Sequence, residues 1–321
     1  MRIAVAGSIA TDHLFTFSGR FADSLLVDQL SKISLSFLAS DLQVRRGGTG
    51  ANIAFGMGVL GAAPLLVGAV GTDAHDYLAW LRDHGVDTTH VRVSDGKPTA
   101  RFTCTTDDDH AQLATFYPGA MAEAALIDIA DLGDVDLVVV APDDPGAMLR
   151  HSASCRDRGV PFAADPSQQL AFMDGEAIRG LVDGATWLFT NEYEAFLVHE
   201  KTGWSADEVL ERVGTRVTTH GAAGIAIDRR GEPTVRVPVV PAAEVAEPTG
   251  VGDGFRAGFL TATGWGVGVE RAAQVGALVA THVVETVGTQ EYAFSADGFL
   301  ERFEQAYGGD AADELRPHLQ G

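Results

Sequence analysis

Late in the chain, Pro248-Thr249-Gly250-Val251-Gly252-Asp253-Gly254 sets glycines directly ahead of an apolar stretch with helical period. Glycine lets the backbone approach a ligand closely, and the first N–H groups of a helix have no partner inside it. The helix dipole adds about half a positive charge at that end. Such a turn is an anion site suited to a phosphoryl group in transfer. Asp253 is the anomaly, because a carboxylate repels an anionic ligand. General-base action on an incoming hydroxyl would account for it. An Asp in a first helical turn is also ordinary on dipole grounds, so the turn alone leaves both readings open.

Other segments carry weaker signals. Gly47-Gly48-Thr49-Gly50-Ala51-Asn52 opens a second helix, either as a backbone-lined seat for a polar ligand with Asn52 projecting from the first turn, or as a helix start needing positive φ. It is neither a Walker A loop nor a Rossmann fingerprint, since the Gly-Lys-Ser/Thr and G-x-G-x-x-G patterns are missing. Asp12 lies just past the first strand, where ligands bind in open α/β sheets. It can accept from two vicinal hydroxyls, or close an Asx-turn. Asn191 reads as an N-cap; with Glu194 it also supplies hard oxygen ligands near Mg²⁺ waters and phosphates. Thr219-His220-Gly221-Ala222-Ala223-Gly224 is a nucleotide-holding turn or a plain β-turn. The ten histidines lack metal-site spacing, no G-x-S-x-G occurs, and Cys104 and Cys155 read as buried thiols.

These residues need a scaffold. Apolar runs at 3–6, 65–70, 137–141, 160–164, 187–190 and 216–219 predict strands covered on both faces. Helices are expected at 51–60, 74–84, 145–158, 176–182 and 191–201 between them. The alternation predicts an α/β fold with a doubly wound, mostly parallel sheet. A hairpin at 225–229 and 234–240 precedes three helices at 252–263, 269–284 and 296–306. Period-two alternation at 32–38, 99–106 and 112–117 predicts a small separate sheet with one wet face. The expected domains are a large one of 1–13, 47–98 and 121–307 and a discontinuous lid of 14–46 and 99–120, with 308–321 frayed. Acidic residues outnumber basic ones 44 to 23, for a net charge of −21, so nucleic acid and anionic membranes are poor partners. The short apolar start and the lack of any run of about 18 apolar residues predict a cytoplasmic protein.

The order of the motifs, Gly47-Gly48, then Asn191-x-x-Glu194, then Gly250-x-Gly252-Asp253, resembles the ribokinase (PfkB) family of ATP-dependent sugar and nucleoside kinases. Within it, Gly7-Ser8-Ile9-Ala10-Thr11-Asp12, Ser34-Leu35-Ser36-Phe37, Ala100-Arg101-Phe102-Thr103-Cys104, Phe116-Tyr117-Pro118-Gly119 and Asp165-Pro166-Ser167-Gln168-Gln169 are most similar to the actinobacterial adenosine kinases. The resemblance implies a ribokinase-like fold and transfer of the ATP γ-phosphoryl group to the 5′-hydroxyl of adenosine, giving AMP in purine salvage. A ribose or fructose kinase and a non-catalytic nucleoside- or sugar-binding regulator are the alternatives. It implies Gly250, Val251 and Gly252 as the phosphoryl cradle and Asp253 as base, kept ionised and weakly basic by the helix dipole. Ser8, Asp12, Gly48 and Asn52 would meet the ribose, and Phe102 and Phe116 the purine face, with Gln168 and Gln169 at its edge. ATP would sit on Asn191, Thr219, Gly221 and Gly224, with Mg²⁺ held through water by Asn191 and Glu194. A K⁺ site would use Glu247 and backbone near Thr289. A lid-paired homodimer would bring Ser36 and Phe37 near the partner's nucleoside site. Gly254 departs from the family's usual Ala and is expected to loosen the anion hole.

Overall fold

Alternate residues of the first strand, Ile3–Ala6 (β1), enter two different cores: Ile3 and Val5 one, Ala4 and Ala6 the other. A strand buried on both faces belongs inside a covered parallel sheet. That is its position in the computed structural model, which describes residues 1–24 and 36–320. The chain continues with Ala10–Phe17 (β2), Ala39–Gly47 (β3), Leu65–Gly71 (β4), Asp87–Ser94 (β5), Ala100–Thr106 (β6) and Gln112–Tyr117 (β7). Its second half adds Leu137–Val140 (β8), Phe162–Ala164 (β9), Trp187–Asn191 (β10), Thr215–Thr219 (β11), Ile225–Asp228 (β12) and Val235–Val237 (β13). The large sheet runs β13-β12-β11-β10-β9-β8-β1-β4-β5 and is parallel except for the last hairpin, β11-β12-β13. The small sheet runs β3-β2-β6-β7.

The helices are Phe21–Ser24 (α1), Thr49–Val59 (α2), His75–Asp83 (α3), Pro145–Arg158 (α4), Gly175–Val182 (α5), Glu192–Thr202 (α6), Ala206–Arg212 (α7), Val251–Trp265 (α8), Val269–Val284 (α9), Ala296–Tyr307 (α10) and Gly309–Leu319 (α11). Met148, Ile178, Val198 and Val209 of α4 to α7 fill the core on one face of the large sheet. Ile53 of α2, Phe259 of α8, Val275 of α9 and Phe299 of α10 fill the other.

Three expectations change. Residues 36–38 carry no strand, and 32–35 lie outside the described residues. The partners of β6 and β7 are instead β2 and β3, and β2 begins at Ala10, so Asp12 sits within the small sheet. The segment expected to fray forms α11, whose Leu315 is wholly buried. Burial of one leucine is worth about 1.5–3 kcal/mol, enough to dock a short polar helix.

Candidate active site

A cleft of about 790 Å³ opens between the small sheet and the carboxyl ends of β1, β8, β9, β10 and β11, and reaches the start of α8. Across the small sheet, Arg45 of β3 pairs in register with Asp12 of β2, Asp12 with Phe102 of β6, and Phe102 with Phe116 of β7. Residues directly opposite one another share a face. One transverse row therefore presents a cation, a carboxylate and two rings, and all four line the cleft.

The start of α8 faces that row. Its first backbone bond runs from the Gly254 N–H to the Gly250 carbonyl at 2.9 Å. The N–H groups of Val251, Gly252 and Asp253 have no partner among the described residues. Gly250 holds φ +76°, and a Cβ there would lie 2.8 Å from Cγ2 of Thr289. Gly48, at φ +95°, has Ser8 O within 2.6 Å of where its Cβ would be. Both turns thus require glycine. Gly254 answers to packing rather than to the anion hole: its Cβ would come within 2.6 Å of Cγ2 of Val283 on α9.

Asn52 Nδ2 donates to Asp253 Oδ2 at 2.8 Å. Asn52 Oδ1 accepts from Thr289 Oγ1 and from Gln290 Nε2, each at 2.9 Å. Gln290 Nε2 lies 2.6 Å from the Tyr77 hydroxyl, which donates to the Gly47 carbonyl at 2.7 Å. Asn52 is therefore anchored within a buried network and aims Asp253. Withdrawal from water pushes Asp253 up to about 6, against the downward pull of Arg256 and of the Asn52 hydrogen bond. It stays ionised at pH 7 but is a stronger base than the helix dipole alone would leave it. Asp12 is also pushed up to about 6, by burial first and then by Glu247, with Arg45 opposing.

Gly48, Ser8, Gln168, Gln169, Thr219 and Gly221 line the cleft with these residues. Gln169 Nε2 donates to the Asp143 carbonyl, and Ser8 Oγ accepts the Thr49 N–H, so both are already fixed. Val251, Gly224, Ser36 and Phe37 do not line it. Val251 packs toward the core, Gly224 closes its turn with an N–H to Gly221 O, and the Phe37 ring lies 4.8 Å from that of Phe17 and 5.0 Å from that of Phe21. Sequence reasoning missed Arg256, Arg45, Met121 and Phe172, which also line the cleft. Arg256 was within reach, since it follows Asp253 at the i+3 spacing of one helix face.

Asn191 and Glu194 form a reciprocal capping box at 2.7 and 2.8 Å. The Glu194 Oε1 atom makes no hydrogen bond among the described residues, and the pair fits a hydrated Mg²⁺ bound through water. Glu247 and Thr289, named for a K⁺ site, are engaged within the protein through their side chains. Glu247 Oε2 already accepts from Arg45 Nη1 at 2.6 Å and from the Gly288 N–H at 3.0 Å. Thr289 Oγ1 lies 2.9 Å from Asn52 Oδ1 and 3.1 Å from the Arg46 carbonyl, and its one proton serves these two acceptors. Arg45 offsets the charge of the Glu247 carboxylate.

A large, mostly parallel sheet facing a free helix start, beside a covering small sheet, is the ribokinase-like α/β architecture. The profile of the pfkB family carbohydrate kinases matches residues 23–295, and the chain belongs to that family. It is similar to a nucleoside kinase of Burkholderia thailandensis solved in complex with inosine: 35% identity, TM-score 0.84, 96% of this chain and 98% of that one. A nucleoside kinase of Methanocaldococcus jannaschii is 26% identical over 306 residues, 95% of this chain and 97% of that protein. An Arabidopsis thaliana ribokinase solved with ribose and ATP shares the fold, at 22% identity and TM-score 0.78, over 94% of this chain and 98% of that one. No helix among the described residues is long and apolar enough to cross a membrane.

Proposed function

We propose that this chain is a nucleoside kinase that transfers the γ-phosphoryl group of ATP to the 5′-hydroxyl of adenosine, giving AMP. The observation that carries the reading is the row Arg45–Asp12–Phe102–Phe116 opposite Asp253 and the unpartnered N–H groups of α8. A carboxylate beside two rings suits a ribose diol joined to a flat base. A small sugar would need the carboxylate and not the rings. In this mechanism Asp12 accepts from the 2′- and 3′-hydroxyls and leaves the 5′-hydroxyl toward Asp253. Asp253 takes the proton late, as bonding to phosphorus develops. The N–H groups of residues 251 to 253 hold the transferring group, and Thr219 and Gly221 lie along the nucleotide. Mg²⁺, carried on the phosphates beside Glu194, would offset their charge. Such a reaction returns a free purine nucleoside to the nucleotide pool. The inosine complex of the Burkholderia relative favours a purine nucleoside acceptor and leaves the base edge, near Gln168 and Gln169, as the point where adenosine is chosen.

The test is a coupled ADP-release assay on adenosine, inosine, guanosine, ribose and fructose. Adenosine should give the highest kcat/KM. Asp253→Asn should lower kcat by about 10²–10⁴-fold. Preference for ribose or fructose would sink the nucleoside reading, and ligand binding without turnover would favour a regulator. A lid-paired homodimer belongs to the same proposal. β3 is an edge strand with Leu42 and Val44 exposed, which suits pairing with a second copy. A monomer in sedimentation at micromolar concentration would reject it.

A further inference from the structure

We propose that the Arg256 guanidinium contacts the transferring phosphoryl group through Nη1, and that buried Asp165 is the positioning residue that aims it. The inference rests on the phosphoryl-transfer reading above but not on which acceptor is used.

Arg256 is 6% exposed, yet it lines the cleft. One edge of its guanidinium is committed. Nε lies 2.6 Å from Asp165 Oδ2, and Nη2 donates to Asp165 Oδ1 at 2.6 Å. Nη2 is also 3.9 Å from Glu194 Oε2. Nη1 makes no hydrogen bond among the described residues. It lies over the first turn of α8, because a Cβ on Gly252 would come within 2.7 Å of it. Nη1 is open to the cleft, whereas Nε is buried and held beside Asp165 Oδ2 by charge rather than by an aligned hydrogen bond. Here the spare donor sits beside the N–H groups that form the anion hole, three residues after Asp253 on the same helix.

Charge gives the same answer. Arg256 stands among Asp165, Glu194 and Asp253, three acids around one base. A buried ion pair adds little net stability on its own, so holding Asp165 is a weak reason to bury the guanidinium there. Beside the positive start of α8, an incoming phosphoryl group meets three carboxylates and, from Arg256, a side-chain cation to offset them. In the reaction the acceptor oxygen–phosphorus bond forms and the bond from the γ-phosphorus to the bridging oxygen breaks. The acceptor proton goes to Asp253, and ADP leaves with the electrons of the broken bond. Arg256 exchanges no proton; it stabilises charge on the peripheral oxygens, a task that fixed donors perform well in a site closed to water.

The test compares wild type, Arg256→Lys and Arg256→Ala on whichever acceptor the wild type uses best, so a wrong acceptor assignment appears separately in the wild-type panel. Acceptor binding without ATP is followed by calorimetry. Both variants should bind acceptor within about threefold of wild type and lose about 10²–10³-fold in kcat, the size typical of one lost anion-hole donor. Added guanidinium ion should partly restore Arg256→Ala. Arg256→Lys turning over within about threefold of wild type would overturn the proposal, as would loss of acceptor binding in step with kcat. If an unpaired Asp165 prevents Arg256→Ala from folding, the double variant Asp165→Asn/Arg256→Gln removes both charges together. It should show the same kcat loss with acceptor binding kept, and near-normal kcat there would equally overturn the assignment.

Discussion

Asn52→Ala separates two jobs for one side chain, because they differ in pH dependence. In the structure its Nδ2 donates to Asp253 Oδ2 at 2.8 Å, and that bond holds the Asp253 pKa down against burial. A hydrogen bond to a charged group is worth about 1.5–3 kcal/mol. One pKa unit corresponds to about 1.4 kcal/mol, so removing the donor should raise Asp253 by about one to two units. Its value would move from about 6 to roughly 7–8. At pH 7 the ionised fraction would fall from about nine-tenths to between roughly one-half and one-tenth. The assay is kcat/KM for the acceptor from pH 5 to about 9.5 at saturating ATP, whose acid limb reports the base in the free enzyme. The variant should be slower near neutrality and approach wild type above pH 9. A loss equal at every pH, with the acid limb in place, would refute this reasoning and return Asn52 to the substrate-contact role suggested by sequence.

Asp143, buried with Oδ2 unpartnered, is pushed by burial up to about 8 from an ordinary 3.8. The folded state therefore holds this proton more tightly than the unfolded chain, and the group's contribution to stability falls as pH rises from about 4 to about 8. Asp143→Asn should raise Tm most above pH 8, with the gain shrinking toward pH 4; a gain independent of pH in a melting series would contradict this. Because Arg45 already neutralises Glu247, replacing K⁺ by tetramethylammonium should leave turnover unchanged, and clear K⁺ activation in the ADP-release assay would refute that assignment.

The core of the large sheet was legible in the sequence because β1, β4 and β8 to β11 are short apolar runs between helical stretches, a pattern that periodicity captures directly. The edges of the small sheet were not. β3 carries Asp41, Gln43, Arg45 and Arg46 and is largely exposed, so its alternation is weaker than that of 32–38, which drew the strand assignment instead. α11 is polar on most of its surface and is fixed by a few buried residues. In the site, residues singled out by type alone, Asp12, Gly48, Asn52, Phe102, Phe116 and Asp253, share one cleft. Their partnerships lay beyond reach. Asn52 meets Asp253 across 201 residues and Arg45 meets Glu247 across 202, and no local spacing encodes either contact.

The transverse row of the small sheet makes the face presented to the cleft a property of alignment as much as of composition. A slip of one residue along β6 or β7 would turn Phe102 or Phe116 to the outer face while leaving every side chain in the sequence intact. That alignment is pinned at the far end of the β6–β7 hairpin. There Asp107 Oδ1 accepts the N–H groups of Asp109 and Ala111, and Oδ2 accepts that of Phe21. Asp107 touches nothing in the cleft, yet it works like the peg that keeps two rulers in step. A substitution there that let the strands slip would take a ring out of the cleft without replacing any residue that lines it.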